Sequence, residues 1–224
     1  MSSNPGLSAG AGPSTLEDMT SSLDLLDRWI ALAGPDSAHF GAGIIARYAE
    51  PHRRYHTVEH LRVMLAAIDE LADSATDIDA VRYAAFFHDA IYAVDRADNE
   101  ERSADLARDV LESLGAGKEL VAEVVRLVLL TRGHDSEAGD ANGAVLCDAD
   151  LVVLGGDPDS YAAYAAAVRV EYGHVPDDLF RSGRAAVLRA IANQPVLFRT
   201  AAARARYEER ARANLAAELA QLTG

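Results

Sequence analysis

The sequence contains one cysteine, Cys147, so no internal disulfide can form. Its N-terminal stretch lacks the basic start and apolar middle of a secretion signal. No apolar run approaches the roughly 20 residues that a membrane span needs; the longest, near Val121, is broken by Glu123 and Arg126. These absences argue against a disulfide scaffold and a membrane role, and lead us to expect a soluble protein of the reducing cytoplasm. Positive charge is also scarce. Against 35 acidic residues stand 21 lysines and arginines, a formal net charge of −14, and the arginines form no basic stripe. Long nucleic acids would be repelled, with no aromatic platform to offset the cost. A small phosphorylated partner is still admitted, because a bound cation inverts the field around itself.

Strand signals are missing as well. No alternating pattern flanks a hairpin turn; the one Asn-Gly pair, Asn142-Gly143, is read as part of a polar loop. No repeat of fixed period occurs. Residues 1–14, rich in Ser, Gly, Pro and Ala without periodicity, are expected to form a disordered tail. Residues 15–224, in a chain that is 50% hydrophobic, suffice for one domain with one sizeable core.

What is present is helical spacing. Leu16, Met19, Leu23, Leu26 and Ile30 make one stripe, stopped by Gly34-Pro35, and a second helix is expected from Asp36 to Tyr48. Thr57 is placed to cap a helix through His60, Met64, Ile68 and Leu71, and Asp77 one through Val81, Ala84, His88 and Ile91. Further patterns cover Asn99 to Leu114, Lys118 to Leu130, Val145 to Leu154, Tyr161 to Tyr172, Asp177 to Ile191 and Thr200 to Leu222. The expected fold is all-α, an irregular bundle of about nine helices.

Chemistry-bearing residues interrupt this pattern. Within AAFFHDAIYAV the pair His88-Asp89 sits in an apolar helical run, where burial is costly unless each member has a partner. Upstream, YHTVEH opens the preceding helix and puts His60 in its first turn, with His56 four residues earlier just outside it. His56 reads either as a loop histidine capping backbone groups or as a participant beside the substrate or the metal. Downstream, VLCDADLVVLG carries Asp148 and Asp150; the first is explicable as an N-cap, the second is not.

The order of these pieces, His60, then His88-Asp89, then Asp150, resembles the HD superfamily of metal-dependent phosphohydrolases. The chain is similar to a bacterial branch of it marked by RxYHTxEH, FHDAxY, NEERSA and DADLxxLG, here Arg53 to His60, Phe87 to Tyr92, Asn99 to Ala104 and Asp148 to Gly155. The resemblance implies an HD-type helical bundle in which His60, His88, Asp89 and Asp150 bind one divalent transition metal, Mn, Fe, Co, Ni or Zn. Asp148 becomes a neighbour of the ligands.

A metal there would activate water against a small phosphate ester, a phosphomonoester or nucleotide. Asp89 and Glu100 are the candidate proton acceptors, with Glu101 beside them; a glutamate following Asn99 is also ordinary helix-start chemistry. Arg53, Arg54, His56, His134 and Arg184 are the candidate substrate contacts. Two rival readings accompany this one: an HD-fold oxygenase with a two-iron site, and a non-catalytic nucleotide-binding regulatory module. Two-metal sites of the fold add histidines between the doublet and the last aspartate, where this chain has His134 alone. The sequence leaves the oligomeric state open.

Overall fold

The computed structural model describes residues 16–224, so the tail expected over 1–14 lies outside the described residues. The chain forms ten α-helices joined by short loops and three 3₁₀ turns, with no strand among the described residues. The all-α expectation holds. The helices are α1 (Leu16–Ala33), α2 (Ala38–Tyr48), α3 (Val58–Glu70), α4 (Ile78–Phe87), α5 (Asn99–Ser113), α6 (Lys118–Leu130), α7 (Ala141–Leu151), α8 (Pro158–Glu171), α9 (Asp177–Ala192) and α10 (Ala201–Thr223). No helix among them is long and apolar enough to cross a membrane.

The centre of the bundle is α4. From Ala80 to Phe87 all but one of its residues are buried, as expected for a helix apolar on every side. Ala80, Ala84 and Ala85 keep its girth small, and α2, α3, α5, α6 and α7 pack round it. The single tryptophan, Trp29 on α1, meets Tyr83, Phe86 and Phe87 of α4 edge to face at 5.2–5.8 Å and donates its indole N–H to the Ser37 carbonyl at 3.0 Å. This anchoring turns α1 away from the stripe read in the sequence: Leu25 and Trp29 are fully buried, while Leu23 is exposed.

Local chemistry sets the helix starts. The Asp77 carboxylate accepts from Ala80 N–H, and Asp140 does the same for Gly143. The Asp140 cap starts α7 four residues before the expected Val145, so Asn142-Gly143 is the first turn of a helix and not a polar loop. Buried Asn142 accepts from the backbone N–H groups of Thr76 and Asp77, tying α7 to the start of α4. The C-terminal helices close over one side: α10 packs on α9 and on the 3₁₀ turn Val152–Gly155, where Gly155 lies directly under the Tyr207 backbone.

Candidate metal centre

Three helix ends converge on one point. His60 lies in the first turn of α3, His88 caps the C-terminus of α4, and Asp150 belongs to the last turn of α7. The sequence pattern carried α4 on through Ile91; it stops at Phe87, where partners from upstream take a carbonyl of its last turn and two of the segment that follows. The Tyr48 hydroxyl donates to Phe86 O at 3.1 Å, and Arg53 donates to Asp89 O at 2.8 Å and Ala90 O at 3.4 Å. A guanidinium here also complements the negative end of the helix. The loop beyond is held by the NEERSA block: the Asn99 amide clasps both backbone groups of Ala93, and Ser103 Oγ accepts from Ile91 N–H at 3.0 Å.

Both imidazoles are nearly inaccessible, His60 6% and His88 1% exposed. His88 Nδ1 lies 2.8 Å from the Ala85 carbonyl, which holds a proton on that nitrogen and turns Nε2 toward the centre. His60 Nε2 faces it at 3.1 Å, with Asp150 Oδ1 3.3 Å from His60 Nε2 and Asp89 Oδ2 3.1 Å from His88 Nε2. The remaining nitrogen–oxygen separations, His60 to Asp89 and His88 to Asp150, are both 3.9 Å. Two ligands each about 2.1 Å from one ion stand about 3.0–3.4 Å apart at angles between octahedral and tetrahedral. Ligand atoms of His60, His88 and Asp150 lie within 4.8 Å of one another and could hold a metal ion, with Asp89 Oδ2 3.1 Å from His88 Nε2.

The protonation of the cluster follows from the same packing. Burial works to lower the His88 pKa, but the charge and hydrogen bond of Asp89, with Asp150 behind it, raise it to about 9. Burial lowers that of His60. Both carboxyls are held below the ordinary range, because the imidazoles outweigh a burial effect of opposite sign: His88 and His56 for Asp89, His134 and His60 for Asp150. The raised His88 thus offsets part of the negative charge of Asp89 and Asp150.

The surrounding shell separates the expected substrate contacts from one another. His134 stands at φ 51°, in the left-handed region, and brings Nε2 to 2.7 Å from Asp150 Oδ2. It orients a ligand. Arg53 is no phosphate grip: its side chain is fully buried, and its five N–H donors go to Glu50, His56 O, Asp89 O and Ala90 O. Arg54 is exposed and folds Nη1 back onto Pro51 O and Arg53 O. Arg184 pairs in bidentate fashion with Glu218 at 2.8 and 3.1 Å and donates to Tyr164 Oη.

Glu100 occupies the first turn of α5, which Asp98 and not Asn99 precedes, and forms no hydrogen bond or ion pair with any of the four ligands. Its neighbour Glu101 pairs with Arg132. Asp148 is not the N-cap of its own turn. Fully buried in α7, it accepts from Arg199 N–H at 2.6 Å and Thr200 N–H at 2.7 Å, fastening the entry to α10.

The sequence reading missed Glu171, at the end of α8. Its Oε1 accepts from the backbone N–H groups of Arg54, Tyr55 and His56 at 2.7, 2.8 and 3.1 Å. Oε2 takes His56 Nδ1 at 2.8 Å and the Tyr92 hydroxyl at 3.1 Å. These bonds, led by those of His56, outweigh burial and hold the Glu171 pKa at about 2. They also turn the His56 ring so that Nε2 stands 4.0 Å from Asp89 Oδ2. A signal was available: Glu171 continues the stripe Tyr161, Tyr164, Val168 at spacings of three and four, an apolar position filled by a charge. Comparison of the chain with protein-family models, with curated proteins and with solved structures finds no match, so what this centre does has to be read from its own geometry.

Proposed function

We propose that the chain is a metal-dependent phosphohydrolase of the HD type, cleaving a small phosphomonoester or nucleotide. The observation that carries this reading is the convergence of His60 Nε2, His88 Nε2, Asp150 Oδ1 and Asp89 Oδ2 at ligand-like separations. A divalent transition metal held there supplies an acidified water, a polarised phosphoryl oxygen and a counter to the charge of the transition state. The protein residues do the rest. His88 is held in one tautomer by Ala85 O, and His134 occupies the outer oxygen of Asp150, leaving Oδ1 turned inward.

His56, oriented by Glu171, takes a proton at Nε2 and passes it to the departing alcohol, whereas the sequence reading named Asp89 and Glu100 as the proton acceptors. The buried carboxylate stabilises the imidazolium formed on the way, as a fixed anion does for any histidine base. Among the arginines, Arg54 has donors beyond Nη1 to offer a phosphate.

The test is release of inorganic phosphate from a panel of monoesters and nucleotides by protein reconstituted in turn with Mn²⁺, Fe²⁺, Co²⁺, Ni²⁺ and Zn²⁺. Turnover that disappears in Asp89→Ala is the expected outcome. Hydrolysis of no ester with any metal, or turnover equal in Asp89→Ala, would overturn the proposal.

A further inference from the structure

A cavity of about 460 Å³ opens between α8 and α9, and it meets the candidate metal centre at His56, which lines it. Its walls are Tyr164, Val168, Tyr172, Leu179, Phe180 and Val187. Leu179 and Val187 are 59% and 54% exposed, two of the few large apolar side chains left uncovered by the fold. Large apolar groups turned into a concavity beside a polar centre are the usual signature of a ligand site.

Polar capacity inside the cavity is small. Arg184 lines it, but Glu218 neutralises the guanidinium and Tyr164 takes another of its donors. Beyond His56 and Arg184, only tyrosine hydroxyls offer side-chain hydrogen bonding in the wall. A nucleobase edge or a sugar ring would bring several donors and acceptors with few partners to receive them, which disfavours both. A second concavity, between α9 and the end of α10 and lined by Asp177, Arg181, Arg189 and Leu222 among others, includes no residue of the centre.

We infer that this cavity receives an apolar, ring-bearing alcohol portion of the substrate, so that the preferred ester is a hydrophobic phosphomonoester and not a nucleotide or sugar phosphate. The inference rests on the phosphohydrolase reading for its reaction and on the cavity for its specificity. Hydrolysis breaks the P–O bond to that alcohol, forms a P–O bond from water and returns the proton of the water to the departing oxygen. Alcohol and inorganic phosphate are the products. Tyr164 links the two regions: its ring packs on Tyr55 at 4.6 Å, and Tyr55 packs on His60 at 4.9 Å.

The test compares 3-phenylpropyl phosphate with propyl phosphate, two primary alkyl esters of matched leaving ability, on the metal-loaded protein. Burial of the phenyl group should lower KM on the order of 10- to 100-fold. Gly183, on the cavity wall, has nothing within 4 Å of where a Cβ would stand, so a side chain can start there, and Gly183→Leu should bring the ratio of the two esters close to one. A second readout is independent of turnover: binding of 3-phenylpropanol followed by NMR of the Val168, Leu179 and Val187 methyl groups. Binding of the alcohol at these methyls with no ester hydrolysed would support the cavity assignment and overturn the hydrolase. Equal KM for the two esters with no methyl shifts, or a preference undiminished by Gly183→Leu, would overturn the cavity assignment while leaving the hydrolase in place.

Discussion

Replacing Glu171 with glutamine separates the work of its charge from that of its shape. In the native protein the side chain is fully buried and accepts five hydrogen bonds. Glutamine can keep the three backbone bonds through its carbonyl oxygen, but its amide then presents N–H groups to His56 Nδ1 and Tyr92 Oη. Two charge-assisted bonds are lost, worth about 3–6 kcal/mol on general grounds. The displaced pKa gives an independent figure. A carboxyl brought from an ordinary 4.5 to about 2 contributes about 3 kcal/mol at neutral pH.

Because the folded value is the depressed one, this contribution is complete above pH 4.5, shrinks to about 1 kcal/mol by pH 3 and vanishes below about 2. Urea unfolding of the two proteins at pH 7, 5 and 3 checks it. A gap of about 3 kcal/mol at pH 7 that closes toward pH 3 is expected. A gap below about 1 kcal/mol at pH 7, or one independent of pH, would refute the assignment of Glu171 as a buried carboxylate anchor.

Elemental analysis of reconstituted protein should find about one transition metal per chain, and His88→Ala or Asp89→Ala should lose it with the bundle still folded by circular dichroism; two irons per chain would favour the oxygenase reading instead. Since the proton on His88 has to leave before a cation binds, metal affinity should rise with pH up to about 9. Calorimetry at pH 8 in buffers of different ionisation enthalpy should register proton release, and its absence would count against His88 as a ligand. In the metal-free protein the sign reverses: the raised His88 pKa contributes stability that is full below its ordinary 6.5 and lost as pH rises through about 9. Gly155→Ala would put a Cβ 2.6–3.0 Å from Tyr207 atoms, its backbone included, and should cost at least about 1–3 kcal/mol. A melting temperature within about 1 °C of wild type would show that α10 does not rest there as described.

The helical order of the chain was legible because apolar spacing is a local property, and Asp77, Ala80 and Val81 sit where that spacing puts them. That His60, His88 and Asp150 belong together was legible through their motif. Non-local events were not. The α4 terminus depends on Tyr48 and Arg53, some forty residues upstream, and no window around His88 contains them. Arg53 reads in sequence as a solvated or phosphate-binding arginine, and only the fold reveals that three carbonyls and the Glu50 carboxylate exhaust its donors. In NEERSA the acidic pair drew the chemical reading, whereas Asn99 and Ser103 hold the loop. The tilt of α1 was misread because one large ring, Trp29, outweighs several leucines in choosing which face is buried.

The Glu171 anchor bears on how finely this protein can be divided. Every motif residue lies between Arg53 and Gly155, and a fragment ending there would retain all four candidate ligands. It would lack the acceptor for three consecutive backbone N–H groups in the segment leading into α3, and it would lose the orientation of His56. The motif region is therefore smaller than the working unit. Grafting the motif onto another helical scaffold would transfer the His60–His88–Asp150 cluster but not the orientation of His56, unless a carboxylate equivalent to the end of α8 were built in with it.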